Sequence, residues 1–289
     1  MKKLNNFQRE ERKYSRELAV YKSDEMIQKG RYNLSVQEQR TILYAISKIK
    51  PEDTKDTEYA FSLRDFYNVC GIKKDTYTTI KKMLKELGDK SWWIQREDGK
   101  ESLVRWFNTI DCDINSDKVV FKFHERMMPY LLHLTDSDSF YTFYNLKYIL
   151  PMSSKHSPRL YEILKSYQKN NMQWFFDIDE LKKKMCCEHY KNFKDFRLRV
   201  LEPAVEEINK FTDICIDYDL KKDGRKVSKI VFYFDNKTKD EMFDVNEAIE
   251  IELDGQTSLF DFVDEAENSN MVDFLSKRRK AHGYGENKG

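Results

Sequence analysis

Three observations on the 289-residue sequence predict an α+β fold of two tandem winged helix-turn-helix domains followed by a flexible acidic C-terminal tail. First, residues 156–234 read in order as helix, short strand, acid-capped helix, basic helix and a hairpin that turns at Asp223-Gly224. Second, the plan occurs twice, because Phe175-Phe176-Asp177-Ile178-Asp179-Glu180-Leu181 matches Ala60-Phe61-Ser62-Leu63-Arg64-Asp65-Phe66 position for position. Third, a formal net charge of +1 hides an asymmetry: residues 240–267 contain no Lys or Arg, whereas residues 151–239 carry more basic than acidic side chains. The expected division is an arm at 1–22, a first domain at 23–128, a second at 129–239 and the tail at 240–289.

Residues 1–20 are charged and aperiodic and read as a loosely held arm. Ser35-Val36-Gln37-Glu38 is a capping box, which starts a helix carrying Val36, Ile42, Leu43, Ile46 and Ile49 and ending by Pro51. Tyr59 to Ser62 is a short strand that runs into a helix capped by Ser62 and stopped at Gly71. Asp75 caps the next helix, with Tyr77, Ile80, Met83, Leu84 and Leu87 on its apolar face. Strands at 92–96 and 103–109 follow, joined at Asp98-Gly99 and equated with the wing of the first copy. A further hairpin, 109–115 with 119–123, extends the domain. Trp92, Trp93, Trp106 and Phe107 crowd these strands. Neighbouring residues of a strand face opposite ways, so one face is either a dimer surface or half of a two-sided core.

The second copy opens at Ser157-Pro158, with Pro where its missing N–H is harmless. Its long helix carries Phe193, Phe196, Val200, Ala204, Ile208 and Phe211, and alternation at Ile214, Ile216, Tyr218 and Leu220 marks the first wing strand. Pro203 is expected to kink the long helix, which leaves the direction of Arg197 open.

Five cysteines, an odd number, with no secretory signal and no apolar run of membrane-spanning length, point to a reducing cytoplasmic setting without a membrane. Cys186, Cys187 and His189 crowd too closely to share one metal, and no cofactor is expected. His124, His133, His156, His189 and His282 are too scattered for a metal-dependent nicking site, and no phosphate-binding glycine loop is present. A DNA-processing enzyme is therefore disfavoured.

A helix-turn-helix reads double-stranded DNA with its second helix while the wing covers an adjacent groove or the backbone. The reading helix of the second copy offers Lys191, Lys194, Arg197 and Arg199, and its wing tip crowds Lys221, Lys222, Arg225 and Lys226 around one turn. Cations on a helix are often only a solvated face. Four around a tight turn repel one another unless phosphates neutralise them, which makes the wing the more discriminating signal. The turn assigned to the first copy, Glu97-Asp98-Gly99-Lys100, has mixed charge, although Lys73, Lys74, Lys81, Lys82 and Lys85 on or near its third helix allow secondary DNA contacts.

Val20-Tyr21-Lys22-Ser23-Asp24 with Leu34-Ser35-x-x-Glu38, Pro158-Arg159-Leu160-Tyr161-Glu162-Ile163-Leu164-Lys165, and 199–209 (Arg-Val-Leu-Glu-Pro-Ala-Val-Glu-Glu-Ile-Asn) resemble the RepB/iteron-type plasmid replication initiators over about residues 20–235. The resemblance implies binding of directly repeated origin DNA by the second domain and dimerisation through the first. It also implies a monomer–dimer equilibrium, repression of the chain's own promoter, recruitment of the host initiator and helicase machinery, and a DNA-backbone contact by Arg159. A winged-helix transcription regulator without a replication role is the competing reading. Outside the resemblance, Gln256-Thr257-Ser258-Leu259-Phe260 is similar to the bacterial sliding-clamp-binding peptide in Gln256, Ser258, Leu259 and Phe260, departing from its commonest form at Thr257. The alternatives are packing of Leu259, Phe260 and Phe262 back onto the body, or an acidic screen against non-specific DNA.

Overall fold

The computed structural model describes residues 18–63, 66, 69, 77–96, 98–113, 118–134, 140–169 and 171–253. The first half comprises β1 (Ala19–Ser23), α1 (Asp24–Lys29), β2 (Gly30–Arg31), α2 (Val36–Ile46), β3 (Tyr59–Ser62), α3 (Tyr77–Asp89), β4 (Ser91–Gln95), β5 (Glu101–Arg105), β6 (Phe107–Asp113) and β7 (Lys118–Phe123). The second comprises β8 (Tyr141–Asn145), α4 (Ser157–Gln168), β9 (Gln173–Asp177), α5 (Ile178–Lys184), α6 (Phe193–Phe196), a π turn (Arg197–Leu201), α7 (Glu202–Phe211), β10 (Ile214–Asp223) and β11 (Lys226–Asn236). A further helix, α8, occupies residues 239–253, the last of the described residues.

The repeated plan is physical. In the second half, β9, β10 and β11 form an antiparallel sheet in the order β10-β11-β9, and α4 and α7 pack together beside it. In the first half the same order is built by β6-β7-β3. The aligned residues occupy equivalent places: Phe61 and Phe176, Leu63 and Ile178, and Phe66 and Leu181 are all buried. Ser35 caps α2 through a complete capping box with Glu38, as its spacing requires. Asp177 stands at the N-cap of α5 without capping it through its side chain, and its carboxylate lies 3.8 Å from Lys229 instead.

The sheet order corrects the wing of the first copy. The hairpin equivalent to β10–β11 is β6–β7, whose turn at 114–117 lies outside the described residues. The Asp98-Gly99 hairpin, β4–β5, pairs with β2 in a separate sheet, β2-β4-β5. Gly30 makes that pairing possible, since a Cβ there would lie 2.5 Å from the Met26 carbonyl oxygen and 2.8 Å from the Trp92 ring. Trp92 and Trp106 are buried edge-on against Tyr32, with centroids 5.3 and 5.1 Å away, whereas Trp93 faces outward opposite Leu103.

Two expected boundaries also change. Residues 19–22 belong to β1, which pairs with β8, and Val20 and Lys22 are buried rather than part of a loose arm. The first turns of the acidic tail are helical and docked. Thr238 and Glu241 form a capping box, and Val245, Ile249 and Leu253 are buried at spacings of four. Glu252 reaches to within 3.8 Å of Lys210 on α7.

Candidate nucleic-acid interface

Pro203 shapes the reading helix. It stands in the first turn of α7, where a missing N–H is tolerated, directly after a wide π turn. The Glu202 N–H bonds to the Arg197 carbonyl, five residues back. The extra residue in this turn lets Val200 and Leu201 both face the core, in line with Phe196 before them and Ala204, Ile208 and Phe211 after. The helix is thus locally widened at 197–201.

This geometry sets the direction of each cation. Asn192 caps α6 by accepting the Lys194 N–H at 2.8 Å, which leaves Lys191 and Lys194 exposed at the helix start. Arg199 is exposed; Arg197 is half-buried, with its Nε 3.1 Å from Glu202. Leu198, between the two arginines, is 45% exposed. The acids Glu202, Glu206 and Glu207 lie on α7, so positive charge concentrates on the first half of the reading helix. Glu207 is engaged elsewhere, accepting from the Ser153 hydroxyl at 2.7 Å and its N–H at 2.9 Å.

The wing projects past its own sheet. β9 pairs with β11 only between Lys229 and Tyr233, so the hairpin from Lys222 through Ser228 extends beyond the third strand, and Lys221 stands at its last paired level. Gly224 opens the two-residue turn Gly224-Arg225 at φ +58°, between the paired Asp223 and Lys226. The register shift between Lys221 and Lys222 leaves Ser228 of β11 as the extra residue of a bulge just beyond the turn. Lys221, Lys222, Arg225 and Lys226 are all exposed, and among the described residues no ion pair takes them up. Lys229, absent from the expected cations, lies directly opposite Lys221; strand alternation counted back from buried Ile230 would have placed it on the outer face.

Other expected residues lie elsewhere. Arg159 is 4% exposed and is committed inside the protein: Nη1 donates to Tyr32 Oη at 3.0 Å, Nη2 to the Gly30 carbonyl at 2.7 Å and Nε to the Lys184 carbonyl at 3.3 Å. The expected backbone contact by Arg159 is therefore corrected, because in this fold its guanidinium joins α4 to the first domain and not to the surface. It borders a buried cluster in which Lys22 donates to Glu162 at 2.8 Å and to Tyr32 at 3.0 Å, and Tyr144 also donates to Glu162. Burial alone would raise the Glu162 pKa, but the charges of Lys22 and Arg159 and the hydrogen bonds hold it below the ordinary carboxylate value.

In the first domain, Lys81, Lys82 and Lys85 are exposed on α3; Lys82 lies 3.9 Å from Glu86 and Lys85 lies 3.6 Å from Asp89. Lys73 and Lys74, and the peptide with Gln256, Ser258, Leu259 and Phe260, lie outside the described residues.

Comparison with known proteins fits this architecture. Residues 19–165 match the family described as Initiator Replication protein, WH1, and residues 177–234 match that described as Initiator Rep protein, WH2. The chain is 29% identical to the PI protein of Escherichia coli over 128 residues, 39% of this chain and 42% of that protein. It thus spans less than half the length of that curated relative. A crystal structure of Pi initiator protein in complex with iteron DNA has a similar fold, with a TM-score of 0.63 at 20% identity, covering 78% of this chain and 99% of that one.

Proposed function

The chain belongs to the initiator replication protein family, and we propose that it initiates plasmid replication by binding directly repeated origin DNA, or iterons, through its second winged helix. The observation that carries this reading is the projecting wing, whose four exposed cations have no ionic partner among the described residues. Phosphates supply that partner, and beside the wing the reading helix carries exposed Lys194 and Arg199, with exposed Lys191 just before its cap, to position the base-reading side chains. The relative solved with iteron DNA supports the choice of ligand.

The remaining parts of the reading follow from the family and the surface. The first domain dimerises, and the dimer represses the chain's own promoter. Lys81 and Lys82, with Lys73 and Lys74, add secondary DNA contacts. The host initiator and helicase machinery is recruited to the opened origin, and the segment from Gln256 to Phe260 engages the sliding clamp.

The direct test replaces Lys221, Lys222, Arg225 and Lys226 by Ala and titrates origin and unrelated duplexes across a range of salt. Affinity should fall on both, and the slope of log affinity against log salt should flatten by up to about 0.9 for each phosphate that is no longer neutralised. An unchanged slope would remove the wing from the interface.

A further inference from the structure

We infer that Leu198 reads the 5-methyl group of a thymine in the bound repeat, an apolar specificity contact set among the cations of the reading helix. The inference rests on the DNA-binding function proposed above. The other apolar residues from Phe196 to Phe211 that define the helix's inner stripe, Phe196, Val200, Leu201, Ala204, Ile208 and Phe211, are buried, whereas Leu198 is exposed. It stands two residues from both Phe196 and Val200, about 200° around a helix from each, and so lies opposite the stripe that faces the core. Lys194, four residues earlier, lies on that same outer side.

The π turn fixes this orientation. Val200 and Leu201 are both held in the core and Arg197 turns toward Glu202, which leaves the Leu198 side chain on the outer side. A single exposed leucine is ordinary on a protein surface. This one is flanked by exposed Lys194 and Arg199, on the half of the helix where a helix-turn-helix meets base edges. The major groove offers hydrogen-bonding groups at each base pair and one apolar group, the thymine methyl, which is the natural partner for a branched alkyl side chain brought there by neighbouring cations.

The test uses the full chain and its Leu198→Ala variant, titrated with a duplex of one origin repeat in which each thymine in turn is replaced by deoxyuridine. That replacement removes the methyl and leaves base pairing intact. At one thymine, the change should weaken the unaltered chain about 3- to 10-fold and the variant less than about 2-fold, as expected when one buried methyl group is removed. Binding to unrelated DNA should be the same for both proteins, and because Leu198 is exposed the variant should fold normally. Equal losses in the two proteins at every thymine would overturn the inference. So would a variant weakened equally on all duplexes, which would make Leu198 a general packing residue. If the unaltered chain fails to prefer the repeat over unrelated DNA, the proposed function falls, and this inference with it.

Discussion

Lys22 and Glu162 are 1% and 3% exposed, and an ion pair so deeply placed is costly to break because the surviving partner keeps its charge without water. The pair also has a pH signature. The folded pKa of Glu162 lies below its ordinary value of 4.5, so its contribution is complete above that pH and is lost as pH falls through the folded value. His156 acts in a different window. Burial, with Lys155 and His189 nearby, lowers its pKa from 6.5 to about 4, so between those values the unfolded chain takes up a proton that the folded chain refuses. Stability should therefore decline as pH drops from 6.5 to 4, and urea unfolding of His156→Asn should lack that slope. Glu162→Gln should be destabilised by about 3–5 kcal/mol at neutral pH and lose the steeper decline below pH 4.5. A His156→Asn profile parallel to that of the unaltered chain would contradict the assignment.

Among the elements, α8 joins the second domain to the remaining tail, and its stability comes from one stripe of apolar residues. Ile249→Ala removes the middle of that stripe and should cost about 2–5 kcal/mol. Thr238→Ala removes the cap and should cost about 1 kcal/mol. Hydrogen exchange should show the loss concentrated at 239–253, with β10 and β11 keeping their protection; uniform loss would mean that α8 is integral to the domain core. The Thr238-x-x-Glu241 signature and the apolar spacing are both visible in the sequence, but the run of acids around them masks the periodicity behind the charge. The π turn is half visible: Pro203 announces a disturbance, whereas its form depends on Val200 and Leu201 both finding space in the core.

For the whole molecule, the relevant surface is the outer face of β4–β5. Trp93 and Leu103 are paired across the strands and are 46% and 49% exposed, and β5 is the edge of its sheet. An aromatic and an aliphatic side chain beside an open strand edge suit self-association. Trp93→Glu should shift sedimentation of the chain toward monomer while leaving wing-dependent DNA binding in place; an unaltered dimer would move the interface elsewhere. The docked part of the acidic segment runs through Leu253, so residues 239–253 belong with the body rather than with the tail expected from residue 240. Removing residues 254–289 should leave stability and iteron binding unchanged while impairing plasmid replication in cells, and loss of DNA binding instead would assign the tail a place in the interface.

The sequence by itself determined the double winged-helix plan, the capping box at Ser35, the centre of the buried face on α2 (Ile42, Leu43, Ile46) and on α7 (Ala204, Ile208, Phe211), and the basic wing tip, because each depends on spacing along one segment or on charge within a few residues. Tertiary structure decided what depends on partners distant in the chain. Asp98-Gly99 specified a hairpin but not the sheet it would join, and its strand β4 paired with β2 where Gly30 left room for Trp92. Arg159 sits near the start of α4 in a motif whose resemblance implied a DNA contact, yet Tyr32, the Gly30 carbonyl and the Lys184 carbonyl draw it inward. An arginine can reach a phosphate or a buried carbonyl equally well, and only the packing of the first domain against α4 selects between them.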